Sequence, residues 1–309
     1  MHLMIPFAST LSEGCRQTLG DLQLPNLSRL LARLSAGVCE GGDETTLTPP
    51  HERALASAFG MHGADGCLPW AARQALRDGV EVGDDAWGLL TPAHWQLAAD
   101  HVSLVDPAAL QLGEVDSRAL LQAVRGLFES EGWRIAWGAP LRWYAAHESL
   151  RELPCAAIDR VSGRNVDTWM PPDPRMALVR RLQSEVQMLL YRAPVNDERE
   201  ARGALAVNSF WLSGCGVWQA CAAEAPRVDG RLRSPALNDD WAAWVKAWES
   251  LDEGPVAELL TVAQQGAAVR LTLCGERGGV AFDASPRHWA QRLRSLWSAP
   301  SPQQVLEPL

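Results

Sequence analysis

The stretch that decides the fold is "AVNSFWLSGCG", Ala206 to Gly216. Its apolar, β-branched and aromatic residues favour a buried strand that runs up to Ser213. Gly214 and Gly216 follow, which predicts that the strand ends there in a turn. Asn208 and Ser213 are polar residues near the two ends of this strand. Because ligands bind at the carboxyl ends of strands in open α/β sheets, both are candidate ligand-binding residues.

The segments around this stretch alternate between helix and strand patterns. Upstream, periodic apolar residues predict a long helix over 175–192 and a polar helix over 195–203. Near the start, "HLMIPF" predicts a buried strand. "LPNLSRLLARL" predicts a helix because its leucines recur at i, i+3, i+4 and i+7. "AVRLTLCG" predicts a late strand. The alternation is typical of an α/β fold whose core sheet is flanked by helices.

Two helix patterns near the end of the chain carry tryptophan. "NDDWAAWVKAWESLD" places Trp241, Trp244 and Trp248 on one face, with Asn238 as the expected N-cap. This stripe is typical of core packing; the alternative is a platform for a ligand. "SPRHWAQRLRSLW", residues 285–297, predicts the last helix, and the tail after it is expected to fray.

The pattern changes over residues 83–170. Two extended segments precede an amphipathic helix, and two further strand patterns, "WRIAWG" and "LRWYAAHE", follow it. This β-β-α-β-β order predicts an inserted α+β domain. The expected core therefore consists of 1–82 and 171–309, with 83–170 as the insert.

Composition limits the class of function. The chain has 309 residues, of which 47% are hydrophobic and 21% charged, as is usual for a globular protein. Its net charge of −9 argues against a nucleic-acid partner, which requires a basic surface. No apolar run reaches the roughly 18 residues of a membrane helix, so no membrane partner is expected. The seven cysteines are an odd number without C-x-x-C spacing, which indicates free thiols and a cytoplasmic location.

Several segments together resemble one enzyme family. "VNDEREARGALAVNSFWLSGCG" is similar to the stretch in which archaeal-type cofactor-independent phosphoglycerate mutases pass from a helix with "hPvN..R...G" into a strand with "pANxxxLRGxG". "LPNLSRLLARL" resembles the "TPNLDxLAxxG" helix of the alkaline-phosphatase superfamily. Residues 97–150 look like the inserted domain of the mutases. "AVRLTLCGERGG" falls where they carry "vvTaDHg". Within this family the chain is similar to bacterial RpfE-type regulatory proteins.

The resemblance implies an alkaline-phosphatase-like core sheet flanked by helices, with an inserted α+β domain. It also implies that the strand before Ser213 belongs to the core and ends at the active-site cleft of the superfamily. Asn208 matches the asparagine of the family motif, and Ser213 stands where the family has arginine. An arginine would offer paired donors to a phosphate, whereas a serine offers one hydroxyl.

The metal ligands that the resemblance implies are replaced. Superfamily enzymes need an aspartate after the first strand, where this chain has Pro6 and Phe7. They also need a Ser or Thr nucleophile that two metal ions activate, and no threonine here stands in a matching pattern. Cys274 and Glu276 occupy the place of the late "DH" pair. The sequence therefore predicts that the two-metal site is lost, and we expect neither a metal nor a cofactor.

Two further groups of residues have a functional and a structural interpretation. In "DRVSGRNVD", Arg164 and Asn165 are candidates for binding an anion; the alternative is a solvated connector. Cys215 and Cys274 both follow strand patterns and would form a reactive thiol pair if they met in one cleft. The alternative is that each is a small buried hydrophobic residue.

Two further groups of residues, the metal-like clusters, could be metal ligands by type, but their sequence pattern favours a structural interpretation. In "HWQLAADH", His94 and Asp100 share a strand face but lie about 20 Å apart by strand rise, while His101 lies on the other face. One ion cannot bridge that distance. Asp65 and Gly66 predict a turn, with a displaced metal ligand as the alternative.

The favoured function is that of a phosphoglycerate-mutase-like protein without the two-metal site, which binds a small anionic ligand or a protein partner in a regulatory role. One alternative is an active cofactor-independent phosphoglycerate mutase or metal-dependent phosphohydrolase. Another is a structural partner protein. No catalytic residue is assigned.

Overall fold

The computed structural model describes residues 1–98, 100–221, 225–284 and 301–309. The strands are β1 (His2–Ile5), β2 (Ser35–Gly41), β3 (Ala86–Ala93), β4 (Trp95–Leu97), β5 (Val102–Leu104), β6 (Arg134–Ala139), β7 (Arg142–Ala146), β8 (Ser209–Val217), β9 (Arg227–Val228), β10 (Arg270–Cys274) and β11 (Gly278–Asp283). The helices are α1 (Glu13–Asp21), α2 (Pro25–Leu31), α3 (Pro50–Phe59), α4 (Trp70–Arg77), α5 (Glu114–Ser130), α6 (Ile158–Val161), α7 (Met176–Leu190), α8 (Pro194–Ala201), α9 (Arg233–Leu237), α10 (Trp241–Leu251), α11 (Ala257–Gln264) and α12 (Pro302–Leu306). A π-helical turn, Asp252–Val256, connects α10 to α11.

The chain forms two compact units. The first contains Met1–Thr45, Pro49–Phe59 and Ala223–Leu309, and the second contains Thr46–Thr48 and Gly60–Ala222. These bounds differ from the expected core of 1–82 and 171–309. The reason is the pairing of β8 with β3, which places the segment before residue 222 in the same unit as the expected insert.

The sheet of the first unit combines parallel and antiparallel pairs in the order β2-β11-β10-β1-β9. β1 is parallel to both β10 and β9, whereas β10, β11 and β2 follow one another as antiparallel neighbours. Helices pack on this sheet, so the predicted α/β class with a helix-flanked sheet is confirmed.

One face of this sheet forms the core of the first unit. Its buried residues from the sheet are Leu3, Ile5, Leu271, Leu273, Val280 and Phe282. They belong to one apolar cluster with Trp244 and Trp248 of α10. The leucine face predicted for α2 is confirmed, because Leu27, Leu30, Leu31 and Leu34 are all buried in this cluster. Burial of apolar surface at this scale is the main source of stability in such a unit.

The sheet of the second unit is antiparallel, in the order β6-β7-β3-β8, and β4 pairs separately with β5. On β8, Phe210, Leu212 and Cys215 are buried in one cluster with residues of α5 and α7. Trp211 belongs to a different cluster and donates its indole N–H to the Ala156 carbonyl at 2.8 Å. Because both faces of β8 are covered, its sequence is a continuous apolar run instead of an alternating one.

Two expectations about the opening stretch are wrong. β8 does not stop at the glycines but continues through them to Val217. Gly214 has a φ of 64°, and a Cβ there would lie 3.0 Å from the main-chain nitrogen of Ala71 on α4. The glycine therefore permits close approach of a helix, in place of a turn. Nor does β8 belong to the sheet of the first unit, as the resemblance implied for a core strand, since it stands at the end of the second unit's sheet, next to β3.

Side chains of the preceding helices cover the free edge of β8 and the residue Val207 that lies just before it. Gln183 on α7 donates to the Phe210 carbonyl at 3.1 Å. Asn196 on α8 accepts from the Val207 N–H at 2.9 Å and donates to its carbonyl at 2.8 Å. Such contacts satisfy main-chain groups that an edge strand would otherwise leave open.

The last part of the chain differs from expectation in two places. Asp240, not Asn238, is the N-cap of α10, and its carboxylate accepts from the Ala243 N–H at 3.0 Å. The tail was expected to fray, yet Leu306 and Leu309 are buried in the core of the first unit. The helix predicted over 285–297 lies outside the described residues. Within the described part of the chain, no helix has both the length and the apolar composition needed to cross a bilayer.

Candidate functional site

The carboxyl ends of β1 and β10 lie side by side in the first unit because these strands are parallel neighbours. This is the position at which α/β sheets bind their ligands. The residues that meet there are Ser9, Cys274, Gly275, Glu276 and Leu309. We refer to this group as the strand-end crevice.

The turn after β1 is strained and is held by two tryptophans. Phe7 has a φ of 57°, in the left-handed region that costs a non-glycine residue about 1–3 kcal/mol. The indole N–H of Trp244 donates to the Phe7 carbonyl at 3.1 Å, and that of Trp248 donates to the Ala8 carbonyl at 3.3 Å. The Ala8 N–H donates to the Cys274 carbonyl at 2.9 Å. The tryptophans of α10 are therefore core residues that fix the crevice, as the packing interpretation predicted.

Ser9 is the polar side chain that this turn delivers to the crevice. It is 2% exposed, and its hydroxyl has no hydrogen-bond partner within the described residues. Three residues later, Ser12 caps α1 by accepting from the Cys15 N–H at 3.1 Å. A buried hydroxyl without a partner is uncommon in folded proteins and indicates either strain or a binding position.

The residues after β10 do not resemble a metal-binding pair. Cys274 is buried, and burial raises the pKa of its thiol to about 12, so without a metal ion the group is a protonated thiol at neutral pH. The carboxylate of Glu276 accepts a hydrogen bond from the Leu11 N–H at 2.9 Å. This contact ties the β10–β11 turn to the segment before α1.

Leu309 occupies the crevice with its main chain. Its carbonyl oxygen accepts hydrogen bonds from the N–H groups of Arg277 at 2.6 Å and Gly278 at 2.7 Å. At Gly275, a Cβ would lie 2.4 Å from the Ser9 hydroxyl oxygen and 2.6 Å from the Leu309 carbonyl carbon. Only glycine fits between these groups, so the crevice is closely packed around the Leu309 main chain.

The chemistry available here is hydrogen bonding to an oxygen atom. Two adjacent main-chain N–H groups bind one acceptor, and the Ser9 hydroxyl lies beside it. A hydroxyl nucleophile would need a base or a metal to activate it. In the described ranges, no three His, Cys, Asp or Glu side chains are grouped so that they could hold a metal ion.

Two solved structures are similar to the chain as a whole. The cofactor-independent phosphoglycerate mutase from Thermoplasma acidophilum DSM 1728 has a TM-score of 0.35 and 16% identity, over 100% of this chain and 98% of that chain. The PH0037 protein from Pyrococcus horikoshii has a TM-score of 0.43 and 11% identity, over 95% and 92%. No protein-family model matches the sequence, and no curated protein matches it.

Of the site residues predicted from sequence, Asn208 has a clear structural role. Its amide oxygen accepts from the Trp95 N–H at 2.7 Å, and its amide N–H donates to the Trp95 carbonyl at 2.9 Å. Both ends of the side chain are thus engaged with β4. Ser213 lies inside β8 opposite Leu89 and is 6% exposed, so it does not stand at an open strand end.

Asn208→Leu is expected to lower the free energy of unfolding by about 1–3 kcal/mol, because the Trp95 peptide would lose both partners. Urea denaturation followed by circular dichroism measures the change. Gln187→Leu is the matched control. Gln187 is exposed on α7 in the same unit, so its replacement should alter stability by less than about 0.5 kcal/mol. Equal losses in the two variants would contradict the structural role of Asn208.

Arg164 and Asn165 lie in the second unit on a connector that folds back on the β4–β5 hairpin. The Arg164 carbonyl accepts from the Leu104 N–H at 3.3 Å, and the guanidinium of Arg164 lies 5.8 Å from the Trp169 ring centre. Asn165 caps a short 3-10 turn by accepting from the Asp167 N–H at 3.0 Å. Anion binding by these two residues stays a prediction.

The residues of the two metal-like clusters bind main-chain groups or each other. His94 Nδ1 lies 2.7 Å from the Ala206 carbonyl, while His101 pairs with Asp100 at 2.7 Å. The Asp65 carboxylate accepts from the N–H groups of Leu47 and Thr48 at 2.8 and 2.9 Å. It therefore anchors the segment before α3 to the second unit, and the turn interpretation is confirmed by the φ of 74° at Gly66.

The two cysteines considered as a pair belong to different units. Cys274 ends β10 in the first unit, and Cys215 lies on β8 in the second. Both are buried, as the hydrophobic interpretation predicted. The Cys215 sulfur lies 3.6 Å from that of Cys155, a contact that no local pattern of residues predicts.

Proposed function

We propose that this chain is a phosphoglycerate-mutase-like protein that binds a small anionic ligand in a regulatory role and does not perform two-metal phosphoryl transfer. The observation that carries the proposal is the residue set at the strand-end crevice. The turn after β1 supplies Ser9 and no carboxylate, and β10 is followed by the buried Cys274 thiol. The Glu276 carboxylate is hydrogen-bonded to the main chain.

The chemical argument concerns what phosphoryl transfer requires. Two metal ions clamp the attacking and leaving oxygens, and converging carboxylates and imidazoles must hold them. A single carboxylate beside a protonated thiol does not provide those ligands. By contrast, the N–H groups of Arg277 and Gly278 both donate to one acceptor oxygen, that of Leu309. Such main-chain donors suit a carboxylate or phosphate oxygen without any metal.

The finer assignments belong to the same proposal. We place the chain among bacterial RpfE-type regulatory proteins because the quoted motifs follow that family's order along the sequence. A cytoplasmic location is supported by seven cysteines whose number and spacing do not suit a disulfide framework. Mass spectrometry of the natural protein after alkylation would contradict that location if it found disulfides.

The purified protein is expected to contain no stoichiometric manganese or zinc, and to interconvert 2- and 3-phosphoglycerate no faster than background. The physical reason is the missing ligand set around Ser9 and Cys274. Elemental analysis and a coupled enolase assay with added Mn²⁺ measure the two quantities.

About two metal ions per chain, or mutase activity above background, would overturn the proposal. Activity would count only if Ser9→Ala removed it, since a contaminating enzyme would be unaffected by that substitution.

A further inference from the structure

The second face of the sheet in the first unit carries a small polar pocket. α3 contacts β10 and β11, and the pocket lies between this helix and the strands. Its volume is about 170 Å³. We call it the α3 pocket and define it by His2, Glu40, Arg53, Arg270, Thr272 and Gly279, which all line it.

Arg53 is the unusual residue of the α3 pocket. It projects from α3, and its Nη2 atom is buried without a hydrogen-bond partner within the described residues. A guanidinium nitrogen carries N–H donors only, so a buried one without an acceptor is unfavourable. Arg53 also lines the pocket, so an oxyanion bound there would offer acceptors to its guanidinium group, and oxyanions fit the planar donors of arginine particularly well.

The other charged groups of the pocket already have partners or lie at its rim. Arg270 forms a two-point ion pair with Asp283, at 2.7 and 2.9 Å. His2 Nε2 lies 2.9 Å from the Thr272 hydroxyl oxygen. Burial, and then the nearby Arg270, lower the pKa of His2, so the imidazole is neutral at neutral pH.

The remaining charge is that of Glu40, which lines the pocket from the exposed strand β2. Because it is exposed to water, its repulsion of an anion is screened. Among the residues that line the pocket, no buried carboxylate neutralises the charge of Arg53.

We propose that the α3 pocket binds a small oxyanion, with the Arg53 guanidinium as its main ligand. The volume suits a single phosphate or a short carboxylate and is below that of pockets for larger ligands. Thr272 and the neutral His2 supply further hydrogen-bonding groups beside Arg53. The site is separate from the residues of the strand-end crevice, and its occupancy does not depend on whether the chain is an enzyme.

Isothermal titration calorimetry with inorganic phosphate, and separately with acetate, tests the proposal on the full chain in phosphate-free buffer. We expect saturable binding of at least one anion. Arg53→Met should weaken it by about tenfold or more, since it removes a charge-assisted hydrogen bond. Glu40→Gln should strengthen it by about twofold to fivefold, since it removes an exposed like charge. Arg29→Met is the matched control because Arg29 is exposed on α2 and does not line the pocket.

Two outcomes overturn the proposal: neither anion binds to the wild-type chain, or Arg53→Met binds as tightly as Arg29→Met. Circular dichroism in the absence of anion checks that the variants fold. Because Arg53→Met removes an unsatisfied donor, it should melt no lower than the wild type without phosphate. It should also lack the increase in melting temperature that phosphate gives to the wild type. Binding of phosphate but not acetate assigns the site to phosphate groups, and the reverse assigns it to carboxylates.

Discussion

Trp248→Ala is expected to lower the free energy of unfolding of the first unit by about 3–5 kcal/mol. The side chain is fully buried and packs edge-to-face with Trp244, with ring centres 6.1 Å apart. Its indole also binds the Ala8 carbonyl, which keeps the strained turn at Phe7 in place. Truncation therefore leaves a cavity and releases the turn that positions Ser9. Urea denaturation followed by far-UV circular dichroism measures the loss.

Trp248→Phe separates packing from hydrogen bonding in this prediction. Phenylalanine keeps an aromatic ring in the core but cannot donate to the Ala8 carbonyl. We expect the loss of unfolding free energy in Trp248→Phe to be less than half of the loss in Trp248→Ala. A loss below about 1 kcal/mol in the alanine variant, the range of ordinary substitutions, would mean that Trp248 is not a core residue.

Arg199→Met is expected to destabilise the second unit by about 3–5 kcal/mol, as when one partner of a buried ion pair is removed. Arg199 is 1% exposed. Its guanidinium donates to the Leu205 carbonyl at 3.0 and 2.9 Å, to the Leu110 carbonyl at 2.6 Å and to Asp116 at 2.9 Å. Without Arg199, the carbonyls of Leu110 and Leu205 lose its hydrogen bonds. The mostly buried Asp116 carboxylate also loses the buried guanidinium with which it pairs.

Arg202→Met is the matched control for this change. Arg202 also binds Asp116 and follows α8, but its side chain is half exposed. A solvent-exposed ion pair contributes about 0–1 kcal/mol, so the control should cost little. Chemical denaturation of both variants gives the comparison. If the two losses are similar, burial of Arg199 does not determine its contribution.

Much of the secondary structure was accessible from sequence because it depends on local patterns. The leucine spacing of α2, the tryptophan face of α10 and the apolar run of β8 each reflect burial that the chain encodes within a few residues. The motif around Asn196 and Arg199 was recognised by resemblance. Its residues turn out to bind main-chain groups next to β8, so in this chain the motif stabilises the fold.

The remaining errors come from pairings distant in sequence. β2 was not predicted because six of its seven residues are exposed and it lacks an apolar face. It is a strand because its main chain pairs with β11, more than 230 residues away. β8 lies beside β3 because of another pairing between residues distant in sequence. This pairing is the reason that the bounds of the two units differ from the expected ones. Local patterns carry no information about which strand is the neighbour.

The site was predicted in part. The resemblance named residues at or just after the ends of β1 and β10, namely Pro6 and Phe7, and Cys274 and Glu276, as replaced metal ligands. The ligand-binding candidates Asn208 and Ser213 were placed on the stretch around β8, and ligand binding at either place stays a prediction. Ser9 was missed because an aspartate, not a serine, was expected after β1, although Ser9 lies only four residues beyond the end of that strand. The contact of Leu309 with Arg277 and the buried position of Arg53 depend on tertiary packing, for which the sequence has no local signal.

The buried thiols allow each unit to be monitored by itself. Cys15 and Cys274 lie in the first unit, and Cys155 and Cys215 in the second, all four shielded from solvent. A buried thiol reacts with an alkylating reagent only while its surroundings are open, so its labelling rate reports the free energy of local opening. Pulsed alkylation read by mass spectrometry would therefore show Trp248→Ala as faster labelling of the first pair, and Arg199→Met as faster labelling of the second. The natural sequence thus carries its own site-resolved reporters of opening, without any added probe.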